Sequence, residues 1–234
     1  MIFKNKKILV IAAHPDDETI GCGATLSLAK NNGCTIDVLF LGEGVSTRFP
    51  NKEKSLQSKK AKKIRENEAK KALLSLGIKS FKFGTKLCTQ FDKYPIISFV
   101  REIEKRIKKF KPHIILTHNE NETNIDHVYA YNSTMIACRP ENKSNLEFIL
   151  SYEIVCSGNF FYKNKFNPNF YLDVKKTFNQ KLKALKFYKN ELRDYPFPRS
   201  LEGIEILAKF RGLQSGLQLA EAFRVERGII KNNF

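Results

Sequence analysis

The sequence predicts an α/β fold: a Rossmann-like, three-layer arrangement with a mostly parallel sheet, as a single domain over residues 1–234. Three observations predict it. Short apolar runs rich in β-branched residues alternate with longer stretches whose apolar residues recur at helical spacing. A chain of 234 residues that is 42% hydrophobic can bury a full core. No internal repeat, low-complexity tract or linker divides it.

Lys7 to Ala13 is a short apolar run that reads as a buried parallel strand. The basic residues before it resemble the start of a leader peptide. The run is short, however, and enters a polar loop instead of a small-residue cleavage site, so it is assigned as the first strand. Gly21 to Asn31 has helical spacing, and Thr35 to Leu41 is a second strand. Gly42-Glu43-Gly44 is a turn. Residues 53–76 form a long amphipathic helix that stops at Gly77, a usual helix-terminating residue. Lys79 to Phe83 is a short third strand. Over residues 95–110, Ile96, Phe99, Val100, Ile103, Ile107 and Phe110 mark one helical face, which Pro112 ends. His113 to His118 is the fourth strand, and a helix runs from Asp126 to Cys138. Beyond this, Phe148 to Val155 and Phe170 to Val174 read as strands, residues 175–190 as a helix, and Asn159 to Asn169 as a loop.

Composition narrows the function. The net charge is +17, carried by 31 Lys and 10 Arg. Many lysines fall between Lys52 and Lys71 on a single helix, where a solvated face is the first reading and attraction of an anionic partner, such as a nucleotide-sugar or a membrane surface, the second. There is no zinc-finger spacing and no RNA-binding aromatic signature, so no nucleic-acid partner is expected. No apolar run approaches the ~20 residues of a membrane span. Cys22, Cys34, Cys88, Cys138 and Cys156 are scattered and form no CxxC, which predicts neither a disulfide framework nor a thiolate metal site and fits a cytoplasmic protein.

Two loops concentrate chemistry. The first strand ends in Ala13-His14-Pro15-Asp16-Asp17-Glu18-Thr19, one imidazole and three carboxylates in five positions. Such density beside an apolar core calls for a neutralising cation. The fourth strand leads into His118-Asn119-Glu120-Asn121-Glu122-Thr123-Asn124-Ile125-Asp126-His127. Both loops follow the carboxyl ends of strands, where open parallel sheets bind ligands. His14, Asp17 and His127 then make a set of two histidines and one carboxylate, which suits a catalytic zinc with an open position, other divalent metals being compatible. Asp126 reads as an orienter of His127 or as a helix cap. His113 reads as structural, and Arg65 with Glu68 as a salt bridge along one helix face. Glu18 is a capping or a site residue. Gly21 and Gly23 read as close-packing glycines. Arg48, after the second strand, and Asp92 are candidates for binding substrate.

The Ala-His-Pro-Asp-Asp-Glu motif after a strand, followed by Asn124-Ile125-Asp126-His127, resembles the PIG-L/LmbE-like family of zinc-dependent N-deacetylases. Gly42 to Arg48, Arg65-Glu66-Asn67-Glu68-Ala69 with Leu76-Gly77, Pro198-Arg199-Ser200, Arg211-Gly212 and Ala220 to Arg224 extend the resemblance over nearly the whole chain. The resemblance implies hydrolysis of an N-acetyl group on a sugar or sugar conjugate: a glycan, nucleotide-sugar or glycoside. It implies Zn2+ held by His14, Asp17 and His127, with Asp16 as general base. Asn124 stands where some members carry His, in a His-x-Asp-His version of the motif. Asn cannot shuttle a proton at neutral pH, so the leaving amine is expected to take its proton from Asp16 or, as a substitute, from His118, with Asn124 a hydrogen-bond donor in catalysis. Alternatives are hydrolysis of a non-sugar N-acyl amide and a noncatalytic zinc- or carbohydrate-binding protein. The partner is then a small molecule, and a homo-oligomer is compatible with the sequence.

Overall fold

A computed structural model describes residues 2–51, 55–140, 145–157 and 165–230. Its elements run β1 Lys7–Ala12, α1 Asp17–Asn31, β2 Thr35–Phe40, α2 Leu56–Ser75, β3 Ser80–Lys82, α3 Ile96–Phe110 and β4 Ile114–His118. They continue as α4 Ile125–Ala137, β5 Phe148–Tyr152, β6 Phe170–Asp173, α5 Phe178–Leu185, α6 Leu201–Ser215 and β7 Ala220–Gly228. One seven-stranded sheet holds every strand, in the order β3-β2-β1-β4-β5-β7-β6. The first five strands in this order run parallel, and β7 runs antiparallel between β5 and β6. The expected α/β, mostly parallel architecture is present.

The apolar run of β1 shows why the fold has three layers. Ile8, Val10 and Ala12 pack into one core with Leu26, Leu73, Leu185 and Ile204, on the side of α1, α2, α5 and α6. Leu9, Ile11 and Ala13 pack into a second core with Phe99, Ile103 and Ala130, on the side of α3 and α4. Alternate residues of one strand thus serve opposite faces, and both faces are covered.

The chain leaves β1 toward β2 and β3, then crosses back to place β4 on the other side of β1. Strand order reverses there, and the crevice beyond the carboxyl ends of β1 and β4 opens at that point. Both acidic loops emerge into it.

Several boundaries differ from those expected. The first helix begins at Asp17, four residues before the expected Gly21, because Asp17 and Glu18 occupy its first turn, where carboxylates meet the exposed N–H groups. Ser55 caps α2 by accepting from the Ser58 N–H at 3.2 Å, and residues 53 and 54 of the expected helix lie outside the described residues. The expected helix at 175–190 is helical over 178–185 only. The loop expected at Asn159–Asn169 is described from 165 onward. Helix α6 and strand β7 went unassigned in the sequence. Ser200 caps α6 and Gly216 ends it in the left-handed region. The charges Glu221, Arg224, Glu226 and Arg227 mask the strand character of β7. All five cysteines are free thiols, and no described helix is long and apolar enough to cross a membrane.

Candidate active site

The loop after β1 delivers His14, the first turn of α1 delivers Asp17, and the start of α4 delivers His127. Each offers a ligand atom within 4.8 Å of the other two, and all three are buried. Asp17 lies between the rings, with Oδ2 3.5 Å from His14 Nδ1 and Oδ1 3.5 Å from His127 Nε2. The far nitrogen of each ring is held by a second carboxylate. His14 Nε2 meets Asp126 Oδ2 at 2.8 Å, and His127 Nδ1 meets Glu122 Oε2 at 3.3 Å.

These two carboxylates are fixed in turn. Asp126 accepts from the backbone N–H groups of Thr89 at 2.5 Å and Phe91 at 3.1 Å. Glu122 accepts from Asn119 Nδ2 at 2.9 Å, from the Ile154 N–H at 3.2 Å and from Ser157 Oγ at 2.5 Å. Carboxylates behind imidazoles set ring orientation and leave the inner nitrogens free for a cation. The donor set of two imidazoles and one carboxylate, held from behind and grouped within ligand distance, fits a divalent metal of the zinc type.

Electrostatics agree with this reading. Burial pushes the Asp17 carboxyl up, but His127 and His118 outweigh it and hold the group well below the usual carboxylate range. Burial works against a charged His127, yet Asp17 and Glu122 raise it above the usual histidine value. Without a cation, the trio holds negative charge that only protons on the histidines offset.

Asp16 stands beside the trio on the wall of the same cavity, whose volume is about 220 Å³. Its backbone has φ 140°, a conformation that non-glycine residues rarely adopt and that costs ~1–3 kcal/mol. The surrounding contacts hold it there: Arg65 Nη1 donates to the Pro15 carbonyl at 2.7 Å, and the Asp16 N–H donates to Glu18 Oε2 at 3.1 Å. The Asp16 carboxylate lies 3.3 Å from Arg65 Nη1 and 3.8 Å from Arg199 Nη1. Burial raises its pKa against the opposing pull of Arg65, and the neighbouring Asp17 raises it further. Glu18 is turned away into the protein, where it accepts from Thr19 Oγ1 at 2.5 Å and the Tyr188 hydroxyl at 2.8 Å. Burial pushes its pKa up to about 7.

The remaining expected residues separate. Arg48 and Asn124 line the cavity. Asn124 caps α4, its Oδ1 accepting from the Asp126 N–H at 3.0 Å, so the cap is Asn124, while Asp126 orients His14 instead of the expected His127. His118 does not reach the cavity as an acid would need to. Its side chain has no exposure, its ring stacks on His127 at 4.1 Å, and its Nε2 accepts from the Ala13 N–H at 2.9 Å. Burial, reinforced by His127, lowers its pKa. Asp92 lies exposed on a short 3-10 turn, outside the cavity lining. No local pattern in the chain marks Glu122 as an orienting group, nor Glu191 and Arg199 as cavity residues; only the Pro198-Arg199-Ser200 match points near the latter two.

Comparisons with known proteins identify the family. A curated relative, diacetylchitobiose deacetylase of Thermococcus kodakarensis, is 26% identical over 237 residues, covering 96% of this chain and 84% of the relative. The structure of N,N'-diacetylchitobiose deacetylase from Pyrococcus horikoshii superposes with a TM-score of 0.74 at 21% identity, covering 94% of this chain and 83% of that one. That of the 4-carboxy-2-hydroxymuconate hydratase GalB from Pseudomonas putida KT2440 superposes with a TM-score of 0.75 at 19% identity, covering 98% and 99%. The same fold thus also carries a hydratase, and the fold alone does not select the reaction. The sequence profile of the PIG-L family, described as GlcNAc-PI de-N-acetylase, matches residues 9–138, more than half of the chain, and the chain belongs to that family.

Proposed function

We propose that this member of the PIG-L family is a metal-dependent N-deacetylase, with zinc as the metal, that removes the acetyl group from an N-acetylated sugar or sugar conjugate. The observation that carries the reading is the presence of Asp16, a carboxylate outside the ligand trio, on the wall of the cavity that His14, Asp17 and His127 line. A site kept only for structure has no use for a strained, buried carboxylate at this position.

His14, Asp17 and His127 would hold the metal, which when bound would polarise the amide carbonyl and acidify water. Asp16 Oδ takes the proton from the attacking water. Its raised pKa makes it a better acceptor than an ordinary carboxylate. Once protonated, Asp16 returns the proton to the leaving amine nitrogen, so no second acid is needed and the burial of His118 is no obstacle. Asn124 spends its Oδ1 on the helix cap, which leaves its Nδ2 as a donor toward the oxyanion. Arg48 lies where it can hold the sugar away from the scissile bond.

The test is acetate release from a panel of N-acetylated sugars, nucleotide-sugars, glycosides and short non-sugar N-acyl amides, with protein stripped of metal and then reloaded with zinc. Release from a sugar class only after reloading is expected. Release from the short amides alone would move the substrate out of the sugars, and metal-independent release would overturn the proposed chemistry.

A further inference from the structure

The half of the cavity away from the histidines is built from charge. Arg48 follows β2, Arg65 comes from the inward face of α2, Arg199 precedes α6, and all three line the cavity. Glu191, in the stretch between α5 and α6, stands among them. It pairs with the guanidiniums of Arg48 and Arg65 and lies 3.7 Å from Arg199 Nη1. Arg65 has other partners in Asp16 and Glu68. Among the described residues the one ion pair of Arg48 is with Glu191, and the other partner of Arg199 is Asp16 at 3.8 Å. Among the described residues, Glu191 is therefore the carboxylate that reaches all three of these arginines.

Guanidiniums converging from three separate segments form the kind of site that holds a phosphate or a carboxylate. Here a carboxylate of the chain itself already takes that place. We infer that Glu191 is a specificity-determining residue that fills the anion position among Arg48, Arg65 and Arg199, so that this half of the cavity accepts an uncharged, hydroxyl-bearing part of the substrate and turns away a phosphate- or carboxylate-bearing one. The inference rests on the N-deacetylase reading for its substrate but not for its charge argument. A carboxylate flanked by guanidiniums offers hydroxyl groups both acceptors and donors. An arriving anion must either meet the negative charge of Glu191 or displace it. With a side-chain exposure of 11%, little solvent screens that encounter.

The experiment titrates inorganic phosphate into the zinc-loaded wild type, E191Q and E191D by calorimetry, a readout independent of turnover. E191Q is expected to bind phosphate at least tenfold more tightly than the wild type. E191D, which keeps the charge, should stay close to the wild type, and adding R48A to E191Q should abolish the gain. In turnover, E191Q should raise KM for a neutral N-acetylated sugar more than it changes kcat, and should shift kcat/KM toward a phosphorylated counterpart. Equal phosphate affinity of wild type and E191Q would overturn the inference. So would tight phosphate binding by the wild type that R48A removes, a result that stands even if E191Q does not fold. Failure of every sugar to release acetate while the phosphate shift persists would overturn the deacetylase reading and leave the role of Glu191 intact.

Discussion

At the scale of single residues, the site separates what a sequence can display from what only a fold can assemble. The grouping of His14, Asp17 and His127 in space was legible because two dense polar motifs follow strands whose carboxyl ends meet at the switch point between β1 and β4. Glu122 was written in the same loop as His127 yet unreadable as an orienting group, since its role depends on Asn119, Ile154 and Ser157 closing around it. The proton role expected of His118 failed for a related reason, because chain position does not show that a ring lies beneath its neighbour instead of beside it. The role of Glu122 has a measurable consequence. Glu122→Gln weakens its hold on His127 Nδ1 while keeping the volume, and should lower metal affinity 10- to 100-fold, as read by chelator competition. Unchanged affinity would remove Glu122 from the metal site.

At the scale of elements, the strands and helices of the first 140 residues followed from periodicity, whereas α6 and β7 did not. β7 mixes apolar and charged positions because it lies between β5 and β6 with charges drawn into internal pairs, among them Glu221 with Lys181 at 2.6 Å. Helix α1 shows tertiary packing overriding local preference. Replacing Gly21 by Ala would ordinarily favour a helix by ~1 kcal/mol. Here the new Cβ would lie 2.3 Å from Cδ2 of the fully buried Tyr152, whose ring packs 5.1 Å from that of His118. Overpacking of this kind costs ~1–3 kcal/mol, so Gly21→Ala should lower the midpoint of urea unfolding. A raised midpoint would mean that Tyr152 gives way without cost.

At the scale of the whole molecule, the C-terminal third is joined to the Rossmann-like half through buried charge as well as apolar packing. Arg211 on α6 donates two hydrogen bonds to Glu153, just after β5, at 2.6 and 2.7 Å. Burial raises the pKa of Glu153, and Arg211 opposes the rise. Arg211→Ala should destabilise the protein by ~3–5 kcal/mol near neutral pH, because it leaves a buried carboxylate unpaired, while Arg211→Met with Glu153→Leu should come close to the wild type. The sign with pH follows. With its folded pKa raised further by the loss of Arg211, Glu153 keeps its proton more firmly in the folded than in the unfolded state. The deficit of Arg211→Ala should therefore be small at acid pH and grow as pH rises above the ordinary glutamate range. Denaturant titrations at several pH values check this, and a deficit independent of pH would assign the loss to packing. The fold class was readable at this scale because strand–helix alternation is a global pattern, whereas the pairing that brings Glu191 and Arg199 to the cavity is not periodic and is marked in the sequence only by the Pro198-Arg199-Ser200 match.

The most direct measurement is the turnover of Asp16→Asn, with its metal content determined on the same sample. Asn keeps the shape of the side chain and loses the ability to accept a proton, so the account predicts a ~10²- to 10⁴-fold fall in kcat for acetate release with metal occupancy equal to that of the wild type. Turnover within a few fold of the wild type at full occupancy would contradict the assignment of Asp16 as the base and the mechanism built on it.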